Sequence, residues 1–106
     1  MSKFTLDDLA AIIAARAGAK AESSYTKALL DGGTPRAAKK MGEEAVEVII
    51  AALEDSREAL VSESADLLYH LLVLLQSRAI VLDEVLSELE RRTSRSGLEE
   101  KASRKS

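Results

Sequence analysis

Four acids have the types and spacing to do chemistry together. Glu44 and Glu47 lie three residues apart, and so do Glu63 and Asp66. That spacing puts two side chains on one face of a helix. The second pair opens the run Glu63-Ser64-Ala65-Asp66-Leu67-Leu68-Tyr69-His70-Leu71-Leu72-Val73-Leu74-Leu75, which is apolar at most other positions. Acids on so apolar a helix need a partner, because burying them bare is costly. A hard divalent cation held by carboxylate oxygens is such a partner. If the two pairs face each other, four negative charges meet, and without a counterion some must stay protonated. Magnesium relieves that conflict with near-octahedral oxygen coordination, and it usually shares its shell with waters and phosphates. Manganese accepts the same oxygen donors. The chemistry indicated is therefore metal-assisted hydrolysis of a phosphate ester or anhydride. A purely structural acid cluster is the competing reading.

The acids need helices to hold them. Thr34-Pro35 starts one, with Thr as N-cap and Pro at the first helical position, and it runs to about Leu53. Projected at about 100° per residue, one sector of it holds Arg36, Lys40, Glu43, Glu44 and Glu47. That sector is either a solvated face, with Lys40 paired to Glu43 or Glu44, or one wall of the acid site. Asp55 is expected to cap the next helix, with Glu58 three residues on, and this helix extends to about Ile80. The tight connection predicts an antiparallel hairpin. On the second helix Glu63, Asp66, His70 and Ser77 share a narrow stripe, while leucines surround the rest and predict burial.

Lys40, one turn before Glu44, is placed to neutralise phosphate charge. Lys39 and Arg36 are weaker candidates, each more often just a solubilising charge. His70 either hydrogen-bonds a carboxylate or is a satisfied core residue. Being the only histidine, it disfavours a di-iron bundle, which needs a Glu-x-x-His repeat on two helices. Tyr69 is assigned to packing.

Elsewhere, Thr5 with Asp8 predicts a first helix ending near Gly18, with Leu6, Leu9, Ile12 and Ile13 inward. Glu22 to Thr26 reads as a loop before a short helical turn, and Asp31-Gly32-Gly33 is a break. A last helix begins near Asp83, with Val85, Leu86 and Leu89 inward. The expected organisation is one all-α domain over residues 1–96 and a polar, mobile tail over 97–106.

Composition sets outer bounds. The chain has 106 residues, 46% of them hydrophobic, enough for one small domain. It has no cysteine, which excludes a disulfide scaffold or thiolate zinc site and agrees with a cytoplasmic location. The early Asp7-Asp8 pair does not suit a signal peptide, and no apolar stretch is long enough for a membrane span. A net charge of −3 and 3% aromatic residues argue against nucleic acid as a partner. So apolar a helix in so short a chain predicts a homodimer, whose paired hairpins form a four-helix core.

Glu43-Glu44-Ala45-Val46-Glu47 followed by Glu63-Ser64-Ala65-Asp66 resembles the EExxE…ExxD signature of the all-α, MazG-like nucleotide pyrophosphohydrolases. Ser24-Tyr25-Thr26 and Asp66-Leu67-Leu68-Tyr69-His70 together resemble one branch, the phosphoribosyl-ATP pyrophosphatases of histidine biosynthesis. The likeness spans roughly residues 5–101. It implies magnesium-dependent hydrolysis of phosphoribosyl-ATP between the α- and β-phosphates, giving phosphoribosyl-AMP and pyrophosphate. It further implies that Glu44, Glu47, Glu63 and Asp66 hold the metal and that Glu43 and Glu47 serve catalysis. Glu43 would hold a second ion or orient the attacking water. Lys40 would contact phosphate, and Ser24-Tyr25-Thr26 would close on the substrate. The cyclohydrolase that often precedes this activity needs Cys and His ligands, so a stand-alone pyrophosphatase is implied. Two alternatives remain: a house-cleaning nucleoside triphosphate pyrophosphatase with the same metal site, and a non-catalytic helical dimerisation module with solvent-facing acids.

Overall fold

A computed structural model describes residues 3–19 and 24–94, together with Lys101 and Arg104. The described residues form helices α1 (Leu6–Arg16), α2 (Tyr25–Asp31), α3 (Gly33–Leu53), α4 (Arg57–Ser77) and α5 (Leu82–Thr93), with no strand among them. The all-α expectation holds. The tail expected over 97–106 lies, apart from Lys101 and Arg104, outside the described residues.

Local chemistry sets the helix ends. Thr5 caps α1 as expected: its hydroxyl accepts the Asp8 N–H at 3.1 Å, and the Asp8 carboxylate accepts the Thr5 N–H at 3.0 Å. At the α2–α3 junction Gly33 has φ +85°, a conformation that favours glycine. The α3 helix starts at this glycine, one residue before Thr34. Pro35 still falls in the first turn, where its missing N–H costs nothing. Freed from capping, the Thr34 hydroxyl hydrogen-bonds that of Ser77 at 3.0 Å. Asp55 does not cap α4. It takes φ +58° in the turn, and Ser56 caps instead, its Oγ accepting the Ala59 N–H at 3.2 Å.

The α4 helix ends sooner than expected, at Ser77, through a Schellman motif. The Ile80 N–H bonds the Leu75 carbonyl and the Ala79 N–H bonds that of Gln76, both at 3.0 Å. The motif needs a left-handed residue, and here Ala79 supplies it at φ +58°. An L-residue pays roughly 1 kcal/mol for that conformation, and glycine does not. Ala79→Gly is therefore expected to stabilise the protein by about 0.5–1 kcal/mol. Thermal denaturation should show a rise of several degrees.

The long helices α3 and α4 make the main packing interface. The Thr34–Ser77 bond ties the start of α3 to the end of α4, so the hairpin is antiparallel. Ile13, Leu29, Ala37, Leu72 and Val73 form the buried core, with α1 and α2 closing over one end of the hairpin. The other flank stays open. Ile49 is 58% exposed, Leu53 82% and Val61 64%. The expectation that α4 is buried all round is thus met on one side only within a single chain. The α5 helix turns 110° away from α4 and packs little on the rest, so Leu86 and Leu89 are exposed rather than inward. No single helix among the described residues is long and apolar enough to cross a membrane.

Candidate active site

The hairpin brings its acids together midway along its length. Carboxylate oxygens of Glu44, Glu63 and Asp66 lie within 4.8 Å of one another. Glu63 and Asp66 share a face of α4 through their spacing, and the antiparallel register sets Glu44 of α3 opposite them. Glu44 and Glu63 are half-buried, and Asp66 is exposed. Burial pushes the Glu63 carboxyl above its ordinary value, helped by a hydrogen bond and charge from Asp66 and by the charges of Glu47 and Glu44. Glu47 thus belongs to the same electrostatic group, but its oxygens fall outside the tight set. It is exposed and shares a shallow groove with Ile50, Ser62 and Glu63. A cluster of hard oxygen donors whose charges repel fits a small divalent cation.

Lys40 lies beside the acids. Its Nζ donates to Glu43 at 3.4 Å and lies 3.8 Å from Glu44. The Glu43 hydrogen bond first, then the charges of Tyr25 and Glu43, raise the Lys40 pKa, so it stays cationic at neutral pH. Glu43 itself is exposed and faces Lys40 rather than the acid triad. Arg36 and Lys39 are also exposed and border an open shelf along α3 with Pro35, Lys40 and Glu43.

The segment Ser24-Tyr25-Thr26 is the start of α2 rather than a loop. Ser24 is its N-cap, accepting the Lys27 N–H at 3.1 Å. Thr26 is fully buried, its hydroxyl bonded to that of Tyr69. Tyr25 keeps 53% of its surface exposed, and its hydroxyl reaches His70 Nε2 at 3.1 Å. The other ring nitrogen of His70, Nδ1, lies 2.7 Å from the Asp66 backbone carbonyl. A carbonyl only accepts, so Nδ1 carries the proton and, in the neutral ring, Nε2 accepts from Tyr25. His70 therefore bonds the backbone of an acid residue, not its carboxylate. Tyr69 does more than pack: its ring stacks on Tyr25 with centroids 6.2 Å apart while its hydroxyl holds Thr26. Sequence spacing gives no signal for these pairings, which join residues 43 and 45 positions apart.

These features define an all-helical protein in which carboxylates from two helices converge. The sequence profile of the phosphoribosyl-ATP pyrophosphohydrolase family matches residues 6–93. The chain is 62% identical to phosphoribosyl-ATP pyrophosphatase 1 of Rhodopseudomonas palustris, covering 99% of this chain and 98% of that protein. Identity is 61% to phosphoribosyl-ATP pyrophosphatase 1 of Bradyrhizobium diazoefficiens, over 99% of both chains. It is 60% to the phosphoribosyl-ATP pyrophosphatase of Sinorhizobium medicae, over 98% of this chain and 97% of that one. The chain belongs to the phosphoribosyl-ATP pyrophosphohydrolase family. None of these matches supports a house-cleaning pyrophosphatase or a non-catalytic module.

Proposed function

We propose that this protein is an enzyme of histidine biosynthesis that hydrolyses phosphoribosyl-ATP to phosphoribosyl-AMP and pyrophosphate. The observation that carries this reading is the meeting of Glu44, Glu63 and Asp66 within 4.8 Å, in a chain of this family. These carboxylates would hold magnesium, or manganese in its place. Bound there, the ion would neutralise phosphate charge and make a coordinated water more acidic.

The chain's own groups do the rest. Glu47, next to Glu63 but outside the triad, is free to accept the proton of the attacking water or to complete the metal site. Lys40 brings a fixed positive charge to the phosphates, with Glu43 steering its Nζ. Tyr25 offers an exposed ring to the substrate, while Ser24 and Thr26 hold α2 in place beneath it. Catalysis is then mostly positioning and charge stabilisation, without a covalent intermediate. A nucleotide substrate and a cysteine-free chain support a cytoplasmic location.

The deciding experiment is phosphoribosyl-ATP turnover with and without magnesium, beside the Glu44→Gln/Asp66→Asn double variant. Turnover that requires the metal and vanishes in the variant supports the reading. Preference for ordinary nucleoside triphosphates would sink it.

The open flank of Ile49, Leu53 and Val61 supports a homodimer in which two hairpins complete a four-helix core. Light scattering at micromolar concentration should give twice the chain mass, and a monomer would refute the assembly.

A further inference from the structure

Phosphoribosyl-ATP carries phosphate at both ends: a triphosphate on one ribose and a monophosphate on a second ribose attached to the adenine ring. The acid triad accounts for the first end only. The α3 helix runs past the triad towards its own N-terminus, and its composition changes on the way. Glu44 is followed one turn up by Lys40, then by Lys39 and Arg36. Eight residues at about 1.5 Å each put the Arg36 backbone about 12 Å from that of Glu44.

The three cations are not equivalent. Lys40 is taken up by Glu43 and Glu44. Arg36 and Lys39 have no ion-pair partner among the described residues, although the chain is acidic overall, with net charge −3. Both border the same open shelf. Arg36 is also placed rather than free. Its aliphatic stem lies so close over Gly32 that a Cβ there would clash with its Cδ. Tyr25, on α2, keeps its ring half-exposed, a flat apolar surface that suits stacking by a base.

Resting on the activity proposed above, we infer that Arg36 and Lys39 cradle the distal ribose phosphate of phosphoribosyl-ATP, the group that ATP lacks. An arginine fork suits a terminal phosphate because it donates two parallel hydrogen bonds, and a lysine adds a point charge. The acids and the cradle then act as two ends of a ruler along α3. ATP can fill only one end, so the pair gives selectivity for the longer molecule.

The test uses the full chain and an Arg36→Gln/Lys39→Gln variant, with circular dichroism to confirm an unchanged fold. Both side chains are exposed, so the fold should survive. KM for phosphoribosyl-ATP should rise tenfold or more, with the loss falling on KM rather than kcat. Calorimetric affinity for phosphoribosyl-AMP should fall by a similar factor, while affinity for AMP, which has no second phosphate, changes less than twofold. Arg36→Lys should restore part of the loss. Equal weakening of AMP and phosphoribosyl-AMP would overturn the cradle, and so would an unchanged KM. If the wild-type chain does not turn over phosphoribosyl-ATP, the activity reading fails on its own, and the phosphoribosyl-AMP against AMP comparison still decides the cradle.

Discussion

Glu63→Gln is expected to abolish turnover and, in EDTA, to make the protein more stable. The activity loss should be about a thousandfold or greater, because the substitution removes one of the three carboxylates proposed to hold the metal. The stability gain follows from the direction of the Glu63 shift. Its folded pKa lies above the ordinary value of 4.5, so the folded state binds more protons than the unfolded state between the two values. The Glu63 contribution to stability is therefore present at low pH and lost as pH rises from 4.5 through the raised folded value, and glutamine does not titrate. In thermal melts in EDTA from pH 4 to 8, the variant's advantage over the wild type should grow as pH rises. Adding magnesium should reverse the order, since an ion that binds only the folded state stabilises it as concentration rises. A variant less stable than wild type in EDTA at pH 7 would mean that the acids are not repelling one another.

Leu29→Ala should cause the largest loss of stability, about 3 kcal/mol. Leu29 is 1% exposed and, with buried Thr26, anchors α2 to the core. A seven-residue helix cannot hold itself together in water, so its order depends on that anchor. Once α2 loosens, Tyr25 leaves His70, and the ring proposed to meet the substrate is displaced with it. Urea denaturation should show the loss of stability, and KM should rise at temperatures where the hairpin still melts cooperatively. A variant with normal KM would separate α2 from substrate binding.

The hairpin was the most legible part of the fold, because helical spacing, the Gly-Gly break and the greasy α4 run all point the same way. Its acids were legible for the same reason: Glu63 and Asp66 lie on one face by spacing alone, and antiparallel packing supplies Glu44. What spacing could not give was rotamer detail. Glu47 sits on the correct face, yet its oxygens fall outside the triad. Helix ends were harder to read. Asp55 and Ser56 can both cap, and the turn decided between them by putting Asp55 in the left-handed region. The reach of α4 was overestimated because Ala79 looks like a helix former, while the Schellman bonds around it end the helix at Ser77. The Tyr25–His70 and Thr26–Tyr69 contacts join residues more than forty positions apart, which no local pattern encodes.

The placement of the triad across two helices has a practical consequence. Sliding α3 against α4 by one turn is a shift of about 5.4 Å. That exceeds the 4.8 Å span within which the three carboxylates meet. Such a slipped hairpin would keep its helical content and much of its greasy contact, so circular dichroism would score it as native. It would hydrolyse nothing. For this protein, specific activity is the stricter gauge of correct alignment, and refolding yields should be counted in turnovers rather than in ellipticity.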